Sequence, residues 1–188
     1  ALTLPREDQF GVDLDKISMQ VRAGEVVGVA GVSGNGQREF LFALSGEDTR
    51  ADAPMIEVFG RDVAKFAPGR RRKFGVHFVP EERLGRGAVP TLGLAHNLLL
   101  TRNEALGKSG WINLPALEAQ AREIIRRFNV KAGGPHAAAK SLSGGNLQKF
   151  IVGREIEAKP KLLIVSQPTW GVDVGASAQI RGEILALR

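Results

Sequence analysis

Three short stretches combine residue types and spacings suited to chemistry on a phosphate. The first is Gly31-Val32-Ser33-Gly34-Asn35-Gly36-Gln37-Arg38, set between an apolar run and an amphipathic one. Glycines at such a junction let successive backbone N–H groups converge on an anion at a helix N-terminus. Gly31 and Gly36 match the spacing of G-x-x-x-x-G-K-[ST], with Gly34 besides, but Gln37 replaces the lysine and Arg38 the Mg2+-ligating hydroxyl. A glycine-rich turn that binds nothing is the competing reading. The second stretch, Leu142-Ser143-Gly144-Gly145-Asn146-Leu147-Gln148-Lys149, opens a helix. Ser143 can cap that helix, and two glycines let a phosphate reach its positive end. A capped helix after a Gly-Gly turn accounts for Ser143, but not for two consecutive positions without side chains. In the third, Lys161 to Asp173, an apolar strand runs into Ser166 and Gln167. Phosphoryl-transfer sites place a Mg2+-binding Asp and a catalytic carboxylate at such a strand end. Neither residue is a carboxylate, and alone this stretch reads as a buried strand ending in a turn.

These stretches need a scaffold, and 188 residues are enough for one domain with a substantial core. Hydrophobic residues make up 43% and charged residues 24%, too apolar for disorder. The absence of cysteine excludes a disulfide framework, a thiolate zinc site and a thiol nucleophile. No apolar run reaches the ~18 residues of a membrane span, and ALTLPREDQF lacks the apolar centre of a secretory signal, so a soluble cytosolic chain is expected. The net charge of +6 is spread along the sequence, with one dense run, Arg70 to Lys73, expected to be a solvated face.

Alternation over Val12–Leu14 and Ile17–Val21 predicts half-buried strands whose phase slips at Asp15-Lys16, a bulge or break. Val26–Ala30 predicts a buried parallel strand, and Arg38–Ser45 a helix with Phe40, Leu41 and Leu44 inward. Further strands are predicted at Met55–Phe59, Phe74–Val79 and Lys161–Val165. A helix starts at Asn113-Leu114-Pro115, and its stripe of Leu117, Ala121, Ile124 and Phe128 is a core face. Helices are also predicted from about Leu147 to Ala158 and from Ile180. Strand–loop–helix units with apolar strands indicate an α/β fold with a mostly parallel sheet and a helical insert.

In this order the motifs resemble the nucleotide-binding domain of an ABC transporter, over essentially the whole chain. LSGGN-x-QK is similar to the signature motif, VAGVSGNGQ stands at the Walker A position, LLIVSQPTWGVD covers Walker B and the D-loop, and FVPEER falls at the Q-loop. GVSGNGQ, FVPEER, LSGGNLQK and QPTWGVDVGA together most resemble the second, C-terminal cassette of bacterial importers for simple sugars and nucleosides. The resemblance implies a P-loop NTPase (RecA-like) α/β fold: a parallel sheet core, an antiparallel β edge and an inserted α-helical subdomain. On this reading residues 1–188 form one ATP-binding domain, with 1–84 and 150–188 as core and about 85–149 as the insert. The family's switch histidine follows the strand after the D-loop, beyond Arg188, so the chain is expected to be C-terminally truncated.

In this family two cassettes close head to tail, each ATP lying between the Walker motifs of one and the signature helix of the other. The resemblance makes Gly31, Ser33, Gly34, Asn35, Gly36, Gln37 and Arg38 nucleotide-binding positions, with Gln37 lacking the lysine's charge. Ser166 stands for the Walker B Asp and Gln167 for the catalytic Glu, so hydrolysis at this chain's own site is not expected and Mg2+ is weak or absent there. Ser143, Gly144, Gly145 and Asn146 keep the signature pattern, for use on a partner's ATP. Glu81 takes the Q-loop position and Asp173 that of the D-loop aspartate. Phe10 is an adenine-stacking candidate or, by default, an edge-strand core residue. His77, His96 and His136 have no metal spacing, and no metal site is assigned. The implied partners are a second cassette in the same polypeptide, transmembrane permease subunits and, through them, a solute-binding protein. The implied location is cytoplasmic, peripheral on the inner membrane face, without nucleic acid. A nucleic-acid-associated ABC ATPase and a vestigial scaffold cassette are the alternatives.

Overall fold

The computed structural model describes residues 1–102 and 111–188, together with the strand pairing of Gly107–Lys108. It divides into two compact units, Ala1–His77 with Arg188, and Phe78–Leu187.

The first unit opens with β1 (Leu2–Leu4) antiparallel to β2 (Leu14–Ile17). Leu2 faces Ile17 and Leu4 faces Leu14, so the register shifts between them, and Lys16 sits at φ +48°. The expected phase slip is therefore a bulge inside one strand rather than a break between two. Leu2, Leu4 and Leu14 are buried, whereas Met19 and Val21, placed in a strand by their alternation, are exposed and outside it. Helix α1 (Gln37–Ser45) buries Phe40 and Ala43, and leaves Leu41 and Leu44 half-buried. A tight hairpin joins β3 (Glu57–Val58) to β4 (Arg61–Asp62), with positive φ at Phe59 and Gly60 matching strand twist. Helix α2 (Pro68–Lys73) follows, then β5 (Val76–Val79).

Helix α2 departs from the expected solvated basic run at Arg71, which is fully buried, whereas Arg70 and Lys73 are exposed as expected. Its guanidinium donates to Phe66 O at 2.8 Å, Ala43 O at 2.6 Å and Ala64 O at 3.2 Å, and also to Leu44 O. The last carbonyls of a helix have no partners within it, and α1 has no basic residue in its own last turn. Arg71 supplies both the donors and the charge. Burial pulls its pKa down to about 10, which still leaves it charged at neutral pH.

The second unit is built on helices. Helix α3 (Leu94–Leu99), the short hairpin β6 (Gly107–Lys108) and β7 (Trp111–Ile112), and α4 (Leu114–Arg127) lead to a 3₁₀ turn at Ala139–Ser141. Then come α5 (Gly144–Glu157), β8 (Leu162–Val165) and α6 (Val174–Leu185). Leu117, Ala121, Ile124 and Phe128 of the predicted stripe are all buried in one cluster with Leu94, Leu98, Phe150, Ile151 and Ile180. Each large member is worth about 1.5–3 kcal/mol of burial. Asn113 caps α4, accepting from Ala116 N at 3.2 Å. Within this unit, which takes in the second half of β5, Ser166 N–H at the end of β8 donates to Val79 O at 2.9 Å. Among the described residues, no helix is long and apolar enough to cross a membrane.

Candidate functional site

In the first unit, Val26–Ala30 departs from its prediction. No strand forms there, and Val26, Val27 and Val29 are 51%, 40% and 55% exposed. An apolar run reports a demand for burial; it does not provide the neighbouring strands that would satisfy it. The glycine-rich loop does form, and it runs into α1 as expected. Gly36 is buried at the helix N-cap with φ +90°, where a side chain would press on Leu14 and Val12 at 3.2 and 3.3 Å.

The loop's most informative member is Gln37. Its side chain folds back across the loop, Nε2 donating to Val32 O at 3.0 Å and Oε1 accepting from Asn35 N at 3.1 Å. A Cβ on Gly31 would lie 2.3 Å from that Nε2, so a side chain there would push the Gln37 amide away. One backbone N–H of the candidate anion cradle is thus taken by the chain's own side chain. Ser33, Gly34 and Asn35 are exposed around it. Arg38 points outward as well, its guanidinium 5.0 Å above the Phe42 ring.

In the second unit, the signature stretch forms the N-terminus of α5, which begins at Gly144 rather than near Leu147. Ser143 Oγ accepts from Asn146 N at 3.4 Å and from Asn146 Nδ2 at 2.9 Å. Asn146 Oδ1 in turn accepts from Lys131 N at 2.8 Å, tying this tip to the segment after α4. The two glycines differ in cause. A Cβ on Gly144 would sit 2.8 Å from Arg83 Nη1, so a side chain there would displace the end of Arg83 from its place. A Cβ on Gly145 would meet only Val172, at 3.6 Å, an ordinary contact. Nothing inside the unit demands glycine at 145. Ser143 and Gly144 are exposed, and Gly145 and Asn146 partly so.

Asp173 caps α6, Oδ1 accepting from Ala176 N at 2.8 Å. That bond is the main reason its carboxyl is held below the ordinary aspartate value, with the Lys149 charge assisting. Burial lowers the Lys149 pKa, and the Asp173 charge opposes this. Lys149 Nζ donates to Asn129 O. Gln167 is exposed, in a left-handed conformation at φ +42°, while Ser166 is half-buried at the end of β8. Glu81 is exposed. Phe10 is 87% exposed, so the expectation of a core residue there is corrected: it lies in the loop between β1 and β2. His77 is buried, His136 faces Glu118 at 3.4 Å, and among the described residues no cluster of His, Cys, Asp or Glu could hold a metal.

Motif reading missed Arg83, Gln148 and Arg71. Arg83 sits in FVPEER, a stretch singled out for Glu81, and Gln148 in LSGGNLQK. The signal for both was adjacency to a motif, and only the packing around Gly144 reveals their part.

Comparison with known proteins adds the following. The family model described as ABC transporter matches residues 14–170. The nucleoside import ATP-binding protein NupA of Lactococcus lactis subsp. cremoris is 38% identical over 185 residues, covering 97% of this chain and 36% of that protein. The glucose import ATP-binding protein TsgD13 of Haloferax volcanii is 42% identical over 188 residues, covering 96% of this chain and 34% of that protein. This chain therefore spans about a third of the length of these relatives. Among solved structures, the dimeric ATP-binding cassette MJ0796, in a post-hydrolysis state with ADP and phosphate, superposes with a TM-score of 0.69 at 19% identity. That likeness covers 92% of this chain and 71% of the other, and it concerns the fold.

Proposed function

The chain belongs to the ABC transporter family, and we propose that it is the second, C-terminal ATP-binding cassette of an importer for simple sugars or nucleosides. In this role it lends the tip of α5 to ATP held by a partner cassette in the same polypeptide, and does not hydrolyse ATP at its own site. Sugar and nucleoside import are the activities named for TsgD13 and NupA, which match nearly the whole of this chain. At the cytoplasmic face of the membrane it works with transmembrane permease subunits and, through them, with a periplasmic or lipoprotein solute-binding protein.

The observation that carries this reading is the bare position at Gly145. It lies on an accessible helix N-terminus, yet packing within the unit leaves room there for a side chain. A glycine that its own fold does not need suits close approach by something outside the fold. A helix N-terminus offers that approach to an anion, because its first N–H groups lack partners in the helix and its dipole is positive there. Ser143 and Asn146 hold the tip in shape through bonds to each other and to Lys131 N. ATP bound by the partner supplies the triphosphate; this chain's residues orient it.

The chain's own site fits its ligands poorly. Gln37 fills part of the glycine-rich loop and brings no charge to a β- or γ-phosphate. The positions of the Mg2+ ligands hold Arg38, a cation, and Ser166, a neutral hydroxyl, while Gln167 is a neutral amide where water would need a base. None of these motif positions holds the residue type that the family's motif supplies, and no catalytic step is assigned to them. Within the basic run Arg71 turns inward and Arg70 stacks 3.8 Å from the Phe66 ring, which leaves Arg70 and Lys73 as its exposed charges.

Gly145→Asp in the intact transporter tests this reading. A carboxylate aimed at the partner's triphosphate is expected to lower ATP turnover at least about 100-fold, the scale of losing one oriented donor in a phosphate or oxyanion site. Unchanged turnover contradicts it.

A further inference from the structure

The reason for the bare position at Gly144 lies in Arg83. Arg83 Nε donates to Gln148 Oε1 at 3.0 Å, and Nη2 donates to Trp170 O. Nη1 lies against Gly144, 2.8 Å from where a Cβ would be, and Nη2 is 3.3 Å from the same point on Gly171, itself at φ +59°. One planar guanidinium therefore fills the gap between the first turn of α5 and the loop from Gln167 to Asp173. Its backbone is fixed in a compact turn of its own: Ala88 N–H donates to Arg83 O at 2.7 Å, and Gly87 N–H to Glu82 O at 3.0 Å. Gln148 is 1% exposed, so its buried amide oxygen needs a donor, which Arg83 provides.

We propose that Arg83 is a positioning residue that locks the tip of α5 and the Gln167–Asp173 loop into a single rigid face for the partner's ATP. This rests on the trans-acting role proposed for the tip. Arginine suits the task because its fork of donors is planar and rigid, so two acceptors and a glycine contact are met by one group with little freedom left to lose. A lysine ammonium on a flexible stem cannot bridge Gln148 and Trp170 O together while also reaching Gly144. Without the fork, the tip must be ordered at the moment ATP is engaged, and that cost falls on binding.

The test is the ATP concentration dependence of hydrolysis by the intact transporter carrying Arg83→Ala or Arg83→Lys. Both are expected to raise KM for ATP about tenfold, the loss of a charge-assisted hydrogen bond, with a smaller change in kcat. If Arg83→Ala does not accumulate, Arg83→Lys, which keeps charge and stem, gives the same readout. A second expectation is coupling: Gly144→Ala should raise KM strongly in the wild-type background and much less beside Arg83→Lys, where Nη1 is gone. Unchanged KM in both Arg83 variants, or Gly144→Ala effects that multiply independently of residue 83, overturn the proposal. If Gly145→Asp abolishes turnover while the Arg83 variants leave KM unmoved, the positioning role alone fails. If Gly145→Asp is also without effect, the trans-acting tip fails with it.

Discussion

Gln37 shows how one substitution can reshape a loop without unfolding it. A lysine there would extend toward a phosphate; the shorter amide instead closes on Val32 O and Asn35 N. The loop keeps its glycines and its helix, and carries a neutral amide at the position of the motif's lysine. Restoring both positions together, Gln37→Lys with Arg38→Thr, should strengthen binding of a fluorescent ATP analogue at this loop by about tenfold, one charge-assisted contact. The same variant should not gain hydrolysis, because Ser166 and Gln167 are unchanged. An affinity that does not move would mean that the Gln37 bonds are incidental. Asp173 makes a second prediction at this scale. Its folded pKa is depressed below the ordinary 3.8, so its capping contribution is complete above that value and is lost as pH falls through the folded pKa. Amide protection of Ala176 and Ser177 should therefore drop on acidification. It should stay flat at the start of α4, whose Asn113 cap does not titrate.

At the scale of elements, legibility followed how local the cause was. The α4 stripe and its Asn113 cap were readable because spacing and capping are written in neighbouring residues, and all four stripe positions are buried. The same holds for the Ser143 cap and for the bulge near Asp15-Lys16. Val26–Ala30 misled because its composition specifies burial but not which strands lie beside it. Arg71 misled because a basic run looks solvated until the carbonyl ends of α1 are seen to need donors from α2. Arg83 was hidden for the same reason, its partners lying 65 and 87 positions away in sequence. Two helical glycines test this distinction between local and non-local causes. Ala for Gly ordinarily gains about 0.5–1 kcal/mol in a helix. Gly182 in α6 has open space around it, so Gly182→Ala should show that gain in a denaturation midpoint. At Gly153 in α5 a Cβ would lie 2.6 Å from the Phe128 ring. Gly153→Ala should therefore lose about 1–2 kcal/mol, overpacking outweighing propensity.

For the molecule as a whole, the proposed function gives two motifs in one chain unequal duties. The glycine-rich loop carries the neutral Gln37, folded back on Asn35 N, while the exposed tip of α5 is capped by Ser143 and has Gln148 bonded to Arg83. The direct measurement is where ADP is trapped after turnover. The intact transporter would be allowed to hydrolyse a photoreactive ATP in the presence of vanadate, then irradiated, and the labelled peptides mapped. The account predicts trapped ADP cross-linked to the partner cassette, with none on the Gly31–Arg38 segment of this chain. Trapped ADP recovered on Gly31–Arg38 would contradict it.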